Sequence, residues 1–174
     1  MELDEAADQV ARVDARENAT RALRLRELDD LLSDDLVGFS GLAAEWLFDD
    51  VKATWIYGYF TATLLVGHAF CMHQLAGLIR MTLDDPTLPT TAPSLDQLAA
   101  LAESKRLIDL DLRAQLVTLD DVARSYAPAG LHEYDAKTER RMLEAEAFAN
   151  EPGLLADART ALTCSVALLH RTTR

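Results

Sequence analysis

From Ala53 to Ile79 the chain runs for 27 residues without a single Asp, Glu, Lys or Arg. Apolar surface of that extent has to be removed from water, either by lipid or by the rest of the protein. A spanning helix needs about 20 predominantly apolar residues. Here His68, His73, Gln74, two tyrosines and three threonines interrupt the run, and Gly58 marks a turn or kink within it. The run therefore predicts buried helices of a protein core and no membrane span.

The remaining residues agree with a helical core. Seven Gly and five Pro in 174 residues, among abundant Ala, Leu, Glu, Asp and Arg, favour helices over a β-sandwich. That length suits one domain with a real core, so 1–174 is read as a single all-α domain. Its N-terminal helical region, 1–35, carries Leu3, Ala7, Val10 and Val13 in one stripe, then Leu25, Leu28 and Leu32. The arginines Arg16, Arg21, Arg24 and Arg26 read as a solvated face with pairs such as Glu17 to Arg21.

Over 40–171 the pattern predicts a bundle, for about six helices in all. Ser40 is placed as the N-cap of a helix to about Tyr57, with Leu47, Val51 and Trp55 on its core face. A long apolar helix follows from about Tyr59 to Leu83. After the proline-rich loop "DDPTLPTTAPS", Ser94 caps a helix through "LDQLAALAESKRL". The next spans about Asp109 to Tyr126, with Thr118 and Asp121 fitting a capping box and a restart. Helices at about 136–149 and 154–171 complete the series.

The formal net charge of −12 argues against broad nucleic-acid binding, which leaves a basic footprint. Cys71 and Cys164 lack metal-ligand spacing and read as reduced core cysteines of a cytoplasmic protein. "MELDEAADQV" has no apolar h-region and is not read as a signal peptide. No Glu-x-x-His pair supports a di-iron site. His68 and His73, five apart, point about 140° from each other on a helix and are not expected to share an ion. Neither metal nor other cofactor is expected, and no Gly-rich phosphate loop or GxSxG motif is present.

"ARSYAPAGLHEYD", residues 123–135, concentrates the remaining chemistry. Arg124 falls in the last turn of a helix, where a cation is favoured by the dipole, and His132 follows a Pro/Gly break. Taken alone, the stretch reads as a polar turn between helices.

"YGYFTATLLVGHAFCMHQLAGLIR", with Gly58 at the junction and Ala62 and Ala69 on the packing face, resembles the paired helices of the HEPN-like superfamily. "RLIDLDLRAQLVTLDDVARSY" followed by His132 is similar to its later helix and signature: an Arg, a polar residue, a spacer, then His. The resemblance covers roughly 40–171. Seven residues separate Arg124 from His132, a longer spacer than the family's; Ser125 stands where Asn, Asp or His is usual, and Met72 where many relatives carry Glu.

An active site of that kind implies metal-independent RNA cleavage at a homodimer interface. His132 would then be the acid or base on the 2′-hydroxyl, Arg124 the holder of the scissile phosphate, and Ser125 a further donor to it. The stretched signature and the acidic charge instead point to a degenerate, non-catalytic HEPN-like module that binds a partner protein, in a toxin–antitoxin or anti-phage setting. The resemblance also implies a homodimer, and Trp46, Trp55, Tyr57, Tyr59 and Phe60 are candidates for its apolar patch.

Overall fold

A computed structural model describes residues 3–32, 38–83, 94–126 and 152–171. Among them every regular element is an α-helix: α1 (Leu3–Leu31), α2 (Leu42–Tyr57), α3 (Phe60–Leu83), α4 (Leu95–Ser104), α5 (Leu110–Tyr126) and α6 (Pro152–Arg171). The all-α bundle expected from composition and periodicity is what these residues form. The helix expected at 136–149 lies outside the described residues.

The uncharged run is split at Gly58, which adopts φ 78°, a left-handed conformation that costs glycine little. The Gly58 N–H bonds the Trp55 carbonyl at 3.0 Å, and the Tyr59 N–H reaches back to Thr54 O at 2.9 Å. That pair of bonds ends α2 and lets α3 start two residues later. Phe60–Thr82 is long and apolar enough to cross a bilayer, yet half of that stretch is buried inside the protein.

α3 is the central helix. It packs most extensively against α6 and α2, and also touches α4 and α5. Gly67 permits the close crossing with α6: a Cβ placed there would stand 3.0 Å from the Ala161 Cβ. Ala62 and Ala69, expected on the packing face of the paired helices, are only half-buried. Around the crossing, Leu64, Phe70, Cys71, Leu75, Leu162 and Leu168 are sealed from solvent. At about 25 cal/mol per Å² of apolar area removed from water, contacts of this kind dominate the stability.

Several capping assignments change. Ser40 does not cap α2; Gly41 occupies that position without a side-chain bond. The Ser40 hydroxyl instead donates to His73 O at 3.3 Å, and its N–H donates to Gln74 Oε1 at 2.9 Å. Buried Gln74 also donates to Gly38 O, so the 38–40 segment is clasped to α3. Space for it comes from Gly77, where a Cβ would collide with the Ser40 side chain.

Ser94 caps α4 as expected, and it does so in a reciprocal capping box with Gln97. α5 runs through Thr118 without restarting, and the Thr118 hydroxyl bonds Ala114 O at 3.0 Å. An uninterrupted helix leaves the Thr118 and Asp121 side chains no unpaired N–H to cap. On α2 the core face is Ala44, Phe48, Val51 and Trp55, with Leu47 only half-buried. On α1 Leu28 is buried and Leu32 half-buried, whereas Leu25 is exposed.

Candidate functional site

Arg124 stands in the last turn of α5, and its guanidinium donates to Asp120 Oδ2 one turn earlier. The i,i+4 spacing makes that contact available, but Asp120 is more than a surface partner. It is 2 % exposed, and a carboxylate so placed must be compensated on every side. Its Oδ1 lies 2.8 Å from His68 Nε2 on α3. A carboxylate only accepts, so the proton of that bond sits on Nε2. Oδ2 also receives the Asp96 backbone N–H at 3.4 Å, from the first turn of α4, where the helix dipole favours negative charge.

One carboxylate thereby joins three helices, α3, α4 and α5. Arg124 covers the solvent side of this network, its side chain 58 % exposed, while that of His68 is 20 % exposed. The Ser125 hydroxyl donates to Val122 O at 2.6 Å, a bond along its own helix. Tyr126 closes the helix end by reaching Asp157 Oδ2 on α6 at 3.5 Å. Among the described residues no buried side-chain polar atom is left without a partner.

Of the expected site residues, Arg124 and Ser125 are adjacent at the end of α5, and His132 lies outside the described residues. Met72 is half-buried against the core, so no carboxylate projects from its turn of α3. Asp120 was overlooked in the sequence. Its signal was the Asp120-x-x-x-Arg124 spacing, obscured because the neighbouring Asp121 satisfies a capping-box pattern. His68 is half-buried and hydrogen-bonded to Asp120, and the exposed His73 lies away from it on α3. Among the described residues no three His, Cys, Asp or Glu side chains gather as metal ligands.

The two cysteines are buried. Burial pushes the Cys164 thiol up to about 12 and raises that of Cys71 well above its ordinary value. Neither is available as a thiolate near neutrality. The aromatic residues divide into two sets. Trp55 and Phe60 are buried, whereas Trp46, Tyr57 and Tyr59 are exposed, with the two tyrosine rings stacked at 6.2 Å.

Compared with protein-family models, curated proteins and solved structures, the chain matches none.

Proposed function

We propose that this protein is a non-catalytic helical module with a degenerate HEPN-like signature, which acts in the cytoplasm by binding a partner protein in a toxin–antitoxin or anti-phage setting. The observation that carries this reading is the commitment of Arg124 to Asp120. A phosphate-holding arginine works by offering uncompensated charge to the anion. Here a buried carboxylate, itself required by His68 and the start of α4, already takes that charge. Ser125 turns its hydroxyl proton to the backbone. Both residues serve the bundle.

The test is incubation of the pure protein with total RNA and with tRNA in EDTA, beside the Arg124→Ala variant. The expected result is no cleavage by either. Metal-independent cleavage that disappears with Arg124→Ala overturns the reading.

The second reading is a metal-independent endoribonuclease, and the exposure of the Arg124 side chain favours it. In that case Asp120 orients the guanidinium, His132 exchanges the proton of the 2′-hydroxyl, and Arg124 meets the charge developing on the phosphate. It predicts that His132→Ala abolishes cleavage while the helical content is unchanged.

A further inference from the structure

α1 turns one face toward the junction of α2 and α3. Arg16, Glu17, Arg21 and Arg24 fall within about 140° of one another around that helix. Together with Tyr57 and Tyr59 they line an open cleft of about 450 Å³, a volume in the range of small-molecule sites. Three arginines against one glutamate leave two positive charges there, on a chain of formal net charge −12. A local surplus of that sign on an acidic molecule calls for a physical account.

The needs of the fold account for part of it. Arg24 lies over the Phe60 ring and donates to the Ile56 carbonyl at 3.2 Å, close to the C-terminus of α2, where a cation is favoured. Gly58 leaves room for its guanidinium, with which a Cβ there would collide. Arg21 lies over the Tyr57 ring and pairs with Glu17 at 2.8 Å. Arg16 has neither kind of support. It is exposed, and among the described residues no carboxylate pairs with it or with Arg24. Burial, and then the charge of Arg21, lower the Arg24 pKa, so the cleft holds like charges that a bound anion would relieve.

Beside the arginines, Tyr57 and Tyr59 are 53 % and 64 % exposed, their rings stacked at 6.2 Å with 19° between the planes. Tyr57 already carries Arg21 on its ring, whereas Tyr59 meets no further ring or cation among the described residues and has a face to offer. We infer that this cleft binds a small phosphate monoester that carries a flat ring, a nucleoside monophosphate in size, with the phosphate on Arg16, Arg21 and Arg24 and the ring stacked on Tyr59. A phosphate monoester brings up to about two negative charges near neutrality, which matches the surplus of the cleft; a carboxylate or a phosphodiester brings less. Arginine meets phosphate oxygens with paired donors, and a tyrosine face takes up any base by stacking. A polyanion is the poorer occupant, because each phosphate or carboxylate beyond the cleft meets an acidic molecule. The inference stands on α1 and the two tyrosines, and not on the Arg124 end of α5.

Isothermal titration calorimetry of the full chain tests it, with adenosine monophosphate as the probe. Adenosine, glycerol phosphate, a short RNA strand and a polyglutamate peptide are titrated beside it, and far-UV circular dichroism confirms unchanged helicity of each variant. Adenosine monophosphate is expected to saturate the chain and to bind more tightly than any of the other four. Glycerol phosphate, which has no ring, and adenosine, which has no phosphate, each keep half of the match. Arg16→Ala is expected to weaken adenosine monophosphate and glycerol phosphate alike, by roughly tenfold. Tyr59→Leu is expected to weaken adenosine monophosphate by roughly tenfold and to leave glycerol phosphate unchanged. Both side chains are exposed, so neither substitution removes core packing.

No saturable binding of adenosine monophosphate at millimolar concentration overturns the inference. So does binding that Arg16→Ala and Arg21→Ala both leave unchanged, or that Tyr59→Leu does not weaken. Tighter binding of the RNA strand or of the acidic peptide overturns it as well, in favour of a macromolecular occupant. Failure of the nuclease experiment leaves these outcomes unchanged, so the two readings fall separately.

Discussion

Removing the Asp120 carboxylate should weaken the bundle far more than removing the arginine it pairs with. Asp120→Ala deletes the acceptor of His68, of Arg124 and of the Asp96 N–H. A hydrogen bond to a charged group contributes about 1.5–3 kcal/mol, and the His68 bond, with both side chains largely shielded, belongs in that range. The Arg124 pair is discounted to about 0.5 kcal/mol because the guanidinium is more than half exposed and screened by solvent. The long Asp96 contact adds little. The expected loss is therefore about 3 kcal/mol for Asp120→Ala and below about 1 kcal/mol for Arg124→Ala. Asp120→Asn falls between them, near about 1–2 kcal/mol, because an amide keeps the shape and still meets the imidazole in its other tautomer. Urea unfolding followed by circular dichroism measures all three, with unchanged m-values as the condition for comparison. A loss for Asp120→Ala no larger than that for Arg124→Ala refutes the reasoning, because the carboxylate would then be a surface partner and not the joint of three helices.

Gly67→Ala forces a methyl to within 3.0 Å of the Ala161 Cβ and should cost about 1–3 kcal/mol; Ala161→Gly in the same chain should recover part of it, a coupling that a double-mutant cycle reads. Arg106, in the turn just past α4, adopts φ 60°, with its N–H on Glu103 O, so Arg106→Gly should raise the urea midpoint by relieving about 1 kcal/mol of left-handed strain. Cys71 and Cys164 carry raised pKa values and are fully enclosed. At mildly alkaline pH both thiols stay protonated in the folded chain, and a thiol reagent should modify neither until denaturant is added. Rapid labelling of the native protein refutes that burial.

The helices were legible because their signals are local. Ser94 and Gln97 sit at capping-box spacing, and Gly58 interrupts an otherwise continuous run. The misplacements share a cause. Ser40 resembles a cap in sequence, but Gln74, which claims its N–H, is 34 residues away. Leu47 and Phe48 are neighbours on α2, and which of them enters the core depends on Phe70, whose ring lies 5.3 Å from that of Phe48. At the candidate site the Arg124–Asp120 half of the network was written at helical spacing. The His68 half spans 52 residues, and only packing of α3 against α5 brings it in.

The crossing of α3 and α6 also bears on the order in which the protein can be made. Gly67 and Ala161 touch across 94 positions of sequence, so a chain growing from its N-terminus completes α3 long before α6 exists to cover it. During that interval the least charged of the described helices has one flank bare, the condition under which partly made chains associate wrongly. A ribosome-bound chain halted before Pro152 should therefore depend on chaperones that release the finished protein unaided, because long-range closure of this kind arrives last.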